Sequence, residues 1–147
     1  MGRRAPSLEA SETLIRFIVA WFATAFVFLG LDAIWLTQVA PRLDPPIIGE
    51  LLSNTVEPAP AIAFYLIYIT GIMLLAVGQG SPIRAFFRGA VLSLVAYATY
   101  DLTNQATLRL WSTTITLADL AWGMTITAIA ATAGRSVASY ANRSCNG

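Results

Sequence analysis

Histidine is absent from the 147-residue chain, and cysteine occurs once, as Cys145. A zinc site of His and Cys ligands, or a di-iron site built on Glu-x-x-His, therefore cannot form within one chain. The same absences exclude a Cys–His or Ser–His catalytic pair and an internal disulfide. We therefore expect no metal and no cofactor, and the balance leans against an enzyme.

Charged residues are also scarce, and lysine is missing. Charged residues make up 12% of the sequence and hydrophobic residues 56%, whereas a soluble domain usually carries about 25% charged residues. Mean hydropathy is +0.65. All nine basic residues are arginine, and the net charge of +1 gives no reason to expect nucleic acid as a partner. This composition is typical of an integral membrane protein surrounded by membrane lipids.

Four apolar runs are each long enough to cross a bilayer, which takes about 20 residues. We predict transmembrane helices over residues 14–36, 59–77, 85–106 and 115–133. The chain is then one domain, residues 1–147, folded as an all-α bundle of four membrane helices. A cleavable signal peptide is the alternative for the first run, but that run is longer than a usual signal core. Residues 47–52 form either a short helix on the membrane surface or an ordinary loop.

Arginine is distributed unevenly between the two sides of such a bundle. The two tails and the middle loop, with the adjoining helix ends, carry Arg3, Arg4, Arg16, Arg84, Arg88, Arg135 and Arg143. The other two loops carry only Arg42 and Arg109. Because cytoplasmic segments hold the excess of basic residues, we predict that both termini are cytoplasmic.

In this threading, polar and aromatic side chains from several stretches reach the outer half of the membrane. Asp32 and Asp101 lie late in outward-going spans, and Asp119 lies early in an inward-going span. A carboxylate at mid-span costs about 2.5–3.5 kcal/mol, so all three are expected to face inward. We predict a polar, aromatic-walled pocket open to the outer side. Its expected lining residues are Asp32, Trp35, Tyr65, Tyr68, Tyr97, Tyr100, Asp101, Asn104, Asp119 and Trp122.

Several of these residues also have purely structural interpretations. Trp35 and Trp122 are typical of the aromatic belt at membrane interfaces. Asp32 can accept a hydrogen bond from a neighbouring Tyr or Trp, and Asp101 can hold helices together. At this point the structural interpretations and the pocket hypothesis are both open.

Three further residues lie near predicted helix ends. Asp119 follows Thr116 in the spacing of a capping box, and Asn104 suits a helix C-cap. Arg109 is either a counter-ion for the Asp residues or an exposed loop residue. These alternatives depend on where the helices begin and end.

Four blocks of the sequence resemble a known pattern. They are Leu31-Asp32-x-x-Trp35-Leu36, Phe64-Tyr65-x-x-Tyr68-x-x-Gly71, Tyr97-x-x-Tyr100-Asp101-Leu102-Thr103-Asn104-x-Ala106-Thr107-Leu108 and Asp119-x-x-Trp122-Gly123. With them the chain resembles a family of small bacterial four-helix membrane proteins, the domain of unknown function 2177. The resemblance implies the bacterial cytoplasmic (inner) membrane and implies that the four blocks belong together. It implies no activity.

Three functions are compatible with this sequence. The first is binding or transport of a small cationic or amphiphilic molecule, or of a lipid headgroup, with proton exchange at Asp101 as an option. The second is a membrane enzyme or accessory subunit in lipid modification, with Asp101 as general base. The third is a structural partner, as a homodimer or beside another membrane protein. The substitution Asp101→Asn distinguishes these functions. We expect it to abolish ligand retention if the protein binds or transports a ligand, and to reduce stability or assembly if the protein is a structural partner.

Overall fold

The computed structural model describes residues 6–43 and 57–144, and within these ranges the chain forms four helical rods without a strand. The first rod is α1 (Pro6–Ile34), a π-helical segment (Trp35–Val39) and α2 (Ala40–Leu43). The others are α3 (Pro58–Gly71) with a π-helical segment (Ile72–Val77), α4 (Pro82–Thr107) and α5 (Thr113–Ser144). The all-α class is confirmed. Residues 47–52, expected to form either a surface helix or a loop, lie outside the described residues.

Two rods are longer than the predicted spans. The first continues to Leu43 instead of ending at residue 36, and the fourth continues to Ser144 instead of ending at residue 133. A helix is held by backbone hydrogen bonds and does not need apolar side chains to continue. Gly134, the first residue after the predicted fourth span, lies buried against Thr24 of α1, where a Cβ would collide with the threonine side chain.

The rods differ in how well they suit a bilayer. Among the described residues, three stretches are long and apolar enough to cross a membrane: Ala10–Leu43, Pro58–Val77 and Thr113–Ala141. The predicted third span, within α4, is not one of the three, because arginines at its start and polar residues at its end lower its hydropathy. Its 26 residues still give a length of about 39 Å.

Large apolar side chains cover the outside of the bundle. Phe26 is 82% exposed and Ile67 is 74% exposed, and many other large apolar side chains are open in the same way. A monomeric soluble protein rarely shows so much contiguous apolar surface. A lipid environment accounts for it, because acyl chains cover such surface without a hydrophobic penalty.

Local chemistry explains where the helices begin and turn. Pro58 and Pro82 stand in the first turn of their helices, where a missing N–H costs nothing. Ser112 begins α5 by accepting a hydrogen bond from the Ile115 N–H at 3.2 Å. Gly80 turns the chain between the second and third rods with φ +127°, a conformation that favours glycine.

Small residues set the spacing between α4 and α5, which form the most extensive helix contact of the bundle. A Cβ on Gly89 would lie 2.9 Å from the Thr127 carbonyl oxygen and 3.1 Å from the Ala128 Cα. A Cβ on Gly123 would lie 2.6 Å from the Tyr97 ring. The two helices therefore approach closely only because these positions lack a side chain.

Gly89→Ala tests this packing, with Gly30→Ala as its matched control. The alanine at position 89 would press on rigid backbone, so we expect it to lower the free energy of unfolding by about 1–3 kcal/mol. Gly30 has nothing within 4 Å of its would-be Cβ, so alanine there is expected to be neutral or stabilising by up to about 1 kcal/mol. Far-UV circular dichroism during SDS titration of detergent-solubilised protein measures both changes. Equal losses in the two variants would contradict the close contact.

Candidate functional site

A cavity of about 710 Å³ lies at the end of the bundle away from the Gly80 turn. All four rods contribute to its wall. Its described lining residues are Asp32, Trp35, Leu36, Ala40, Leu43, Phe64, Tyr65, Tyr68, Ala96, Tyr97, Tyr100, Asn104, Leu108, Trp111, Ile115 and Asp119. The chain thus brings the ends of α1 and α4 and the beginnings of α3 and α5 together around one space.

Asp32 is fixed in this wall by a hydrogen bond between helices. The Tyr65 hydroxyl donates to the Asp32 carboxylate at 2.6 Å, which joins α1 to α3. Asp32 is only 8% exposed. The hydrogen bond offsets part of the cost of burying the carboxylate and holds it in one orientation. Asp32 therefore makes the structural hydrogen bond considered from the sequence, and it also lines the cavity.

Aromatic rings form much of the remaining wall. The Trp35 and Trp122 rings stack at 5.3 Å between centroids, so the two Asp-x-x-Trp stretches meet. Tyr68 meets Tyr97 edge to face at 6.3 Å. Such offset and edge contacts are the arrangements that aromatic rings prefer. They make the wall a packed layer of rings.

Two side-chain hydrogen bonds also lie in this layer, and the first of them connects two helices. The Tyr68 hydroxyl and the Thr127 hydroxyl share a hydrogen bond of 3.0 Å, which joins α3 to α5. The Trp111 indole N–H donates to the Thr116 hydroxyl at 3.0 Å across the start of α5. The ring faces, rather than these hydrogen-bonded hydroxyls, remain the main surface offered to the cavity.

Asp119 is the second carboxylate in the cavity wall. It is half-buried and lies beside the Trp35 indole. The capping box considered for Asp119 and Thr116 does not form, because α5 begins at Thr113 and Ser112 caps it. Asp119 thus lies in the second turn of the helix, with its side chain on the cavity.

Asp101 departs from the sequence prediction, because it does not line the cavity. Its side chain is fully buried, and among the described residues neither carboxylate oxygen has a hydrogen-bond partner. It lies close enough to Asp119 to interact with it electrostatically. On a helix turning about 100° per residue, Asp101 falls at one edge of the arc shared by Tyr97, Tyr100 and Asn104. That edge faces the α5 side instead of the open space.

Trp122 also differs from its predicted position, and Arg109 takes the exposed one of its two predicted positions. Trp122 stands behind Trp35 and does not line the cavity, and its buried indole N–H has no partner among the described residues. Arg109 is exposed in the turn between α4 and α5, and it forms no ion pair with the described Asp residues. The exposed interpretation of Arg109 therefore fits.

Asn104 lines the cavity, but not as a helix cap. α4 continues to Thr107, and Leu108 is its C-cap. The Asn104 backbone carbonyl accepts a hydrogen bond from the Leu108 N–H at 2.7 Å, which belongs to the last helical turn. The Asn104 side chain is therefore available to the cavity wall.

Half of the cavity wall was not predicted from the sequence. These residues are aliphatic or aromatic: Leu36, Ala40, Leu43, Phe64, Ala96, Leu108, Trp111 and Ile115. Part of this set could have been found from helical spacing, because Leu36, Ala40 and Leu43 continue the face that begins at Asp32. The prediction stopped that helix at residue 36 and so lost the last turns of the wall.

The described wall of the cavity combines two carboxylates with aromatic and aliphatic surface. Among the described residues, no group of three His, Cys, Asp or Glu side chains could hold a metal ion. The charged side chains in the described wall are two carboxylates, Asp32 and Asp119, and no cation accompanies them. Aromatic faces beside carboxylates attract positive charge. The arrangement therefore favours a cationic guest with an apolar body.

The helical rods and the apolar outer surface define a multi-pass helical membrane protein. A family model described as "Predicted membrane protein (DUF2177)" matches residues 17–136. The match covers most of the chain, including all four sequence blocks, and the chain belongs to this family. No curated protein and no solved structure matches the chain.

Tyr65→Phe tests the hydrogen bond that fixes Asp32. The phenylalanine removes the donor and leaves a buried carboxylate unsatisfied, so we expect a loss of about 1–3 kcal/mol in unfolding free energy. Tyr100→Phe is the matched control, because Tyr100 is 59% exposed. The double variant Tyr65→Phe/Asp32→Asn should lose less than the sum of the single losses. Additive losses in SDS titration would show that the two side chains do not interact.

Asp101→Asn and Asp32→Asn compare one substitution in two environments. Asp101 has no hydrogen bond to lose, and its replacement removes the cost of burying an ion, so we expect stability equal to or above wild type. Asp32→Asn weakens a hydrogen bond to a charged acceptor and is expected to cost about 1.5–3 kcal/mol. Thermal unfolding in detergent ranks the two variants. An equal loss at Asp101 would reveal a donor that the described contacts do not include.

Proposed function

We propose that the protein binds an organic cation with an apolar body in the cavity between its four rods. One observation carries the proposal: Asp32 and Asp119 are the charged side chains of the described wall, and aromatic or aliphatic groups form nearly all the rest. An anionic guest would meet two carboxylates without a counter-charge. A neutral apolar guest would leave them unpaired.

The dimensions of the cavity agree with a guest of this class. Its volume of about 710 Å³ falls within the range of roughly 300–1,000 Å³ seen for small-molecule sites. A cation within about 6 Å of an aromatic centroid gains about 0.5–2 kcal/mol per favourable ring contact. Rings from three different rods are close enough together to act on one bound cation.

The two carboxylates have different parts in the proposed binding. Asp32 already accepts a hydrogen bond from the Tyr65 hydroxyl and is nearly buried, so it is suited to give the cavity a negative electrostatic potential. Asp119 is more open and has no hydroxyl donor of this kind, so it is suited to pair directly with the cation. We therefore assign Asp119 as the contact residue and Asp32 as the supporting charge.

The proposal includes an orientation in the bacterial cytoplasmic membrane. We infer that α4 is a fourth span, because it is about 39 Å long and forms the most extensive helix contact of the bundle with α5. Arg16, Arg84, Arg88 and Arg135 lie toward the end that holds the termini, whereas Arg42 and Arg109 lie toward the cavity end. The excess of arginine assigns the terminal end to the cytoplasm, which puts the cavity in the outer half.

A pair of ions with one shape and opposite charge tests the binding. Tetraphenylphosphonium and tetraphenylborate are matched in size, so a site selected by charge should retain the phosphonium and not the borate. Equilibrium dialysis of detergent-solubilised protein, with empty micelles subtracted, measures both. We expect Asp119→Asn to weaken phosphonium binding by about ten-fold or more, the equivalent of about 1.4 kcal/mol.

Two control variants locate the effect in the cavity. Glu57→Gln removes one negative charge from an exposed residue outside the wall and should leave binding unchanged. Asp101→Asn, in the bundle but outside the wall, should also keep binding. Equal retention of the two ions, or unchanged affinity in both Asp119→Asn and Asp32→Asn, would refute the proposal.

A further inference from the structure

Three arginines gather around the turn at the opposite end of the bundle, which comprises residues 78–81. Arg135 of α5 donates its Nε–H to the Gly80 carbonyl oxygen at 2.7 Å and an Nη1–H to the Gly78 carbonyl oxygen at 3.1 Å. Arg88 of α4 donates to the Gln79 carbonyl oxygen at 3.3 Å. The Arg84 side chain lies 3.3 Å from the point where a Cβ on Gly80 would stand. One short turn therefore brings three guanidinium groups together.

The charge of this cluster is not balanced by carboxylates in the part of the chain that the structure describes. No ion pair joins Arg84, Arg88 or Arg135 to a described Asp or Glu, and the hydrogen bonds of the cluster go to neutral backbone carbonyl groups. A guanidinium has five N–H donors. Two are used by Arg135 and one by Arg88 in these bonds, so donors remain for a ligand.

The surface beside the cluster is apolar and exposed. Ile83, Phe87 and Val91 repeat at four-residue spacing on α4, and each is about 60% exposed. This stripe lies next to Arg84 and Arg88 on the same helix and runs from the turn toward the middle of the bundle. A ligand with an anionic head and an apolar tail would match both features at once. A free anion would use only the arginines.

We propose that Arg84, Arg88 and Arg135 form a binding site for the phosphate of an anionic phospholipid, whose acyl chain lies along Ile83, Phe87 and Val91. Arginine suits this task because its planar donors pair with phosphate oxygens in a bidentate manner. Arg135 makes two carbonyl contacts with the turn, whereas Arg88 makes one and Arg84 makes none, so Arg84 and Arg88 keep more donors for the lipid. The site is separate from the cavity and does not depend on its function.

The double variant Arg84→Gln/Arg88→Gln tests the site, and Arg42→Gln/Arg109→Gln is the matched control. Both remove two positive charges, the first at the turn and the second at the cavity end. Native mass spectrometry or lipid titration in detergent compares phosphatidylglycerol with phosphatidylcholine, both with palmitoyl-oleoyl chains. Each arginine near an anionic lipid contributes about five-fold in affinity, so the first double variant should weaken phosphatidylglycerol binding by about twenty-five-fold. The control should bind as wild type does.

Two further measurements make the outcome decisive. Arg84→Gln alone should fold normally, because its side chain makes no hydrogen bond with another described residue, and it should lose about five-fold in affinity. Inorganic phosphate at the same concentration should compete weakly, because it lacks a tail for the stripe. Equal losses in the two double variants would overturn the proposal. So would phosphate competing as strongly as the lipid, which would indicate an adventitious ion only.

Discussion

Lipid supplies almost no hydrogen-bond donors or acceptors, and this constraint governs where polar side chains of the bundle can lie. The described structure meets it in two ways: Ser and Thr hydroxyls mostly donate to the carbonyl four residues earlier in their own helix, and several larger side chains form hydrogen bonds between helices. Tyr65 donates to Asp32, Tyr68 pairs with Thr127, and the Trp21 indole donates to the Thr70 hydroxyl at 3.2 Å. Each bond fixes the rotation of one rod against another, because a rotated helix would turn its polar group toward acyl chains. The cavity wall takes its shape from the same bonds.

Close approach through small residues is the second requirement for the cavity. Gly123 lets the Tyr97 ring lie directly on the α5 backbone, and Gly89 lets α4 and α5 touch near the middle of the bundle. The large rings of the wall lie toward one end, where four rods surround an open space. The core at the other end is instead closed by small side chains such as Ala76, Ala130 and Ala131. One end of the bundle is thus packed and the other is hollow.

The helices and much of the site could be predicted from the sequence, but the rotation of α4 could not. Apolar runs predict helices because they must be buried or face lipid, and Asp32, Tyr65 and Asp119 stood out because polar groups in such runs are costly. The spacing put Asp101 on the same face as Tyr97 and Asn104. Which edge of that face meets α5 depends on contacts such as Tyr97 on Gly123, which join residues distant in the chain. Asp101 therefore lies in the contact between α4 and α5, whereas Tyr97 and Asn104 line the cavity.

The ends of the helices were the second feature that could not be predicted from the sequence. Hydropathy indicates which residues are buried in lipid, but it does not indicate where backbone hydrogen bonding ends. The first rod continues past residue 36 to Leu43, which adds Ala40 and Leu43 to the wall. The fourth continues past Gly134 and so places Arg135 on the turn at residues 78–81. The two extensions act at opposite ends of the bundle. At one end they deepen an acidic, aromatic cavity, and at the other they complete an arginine cluster. The two proposed sites therefore call for ligands of opposite charge.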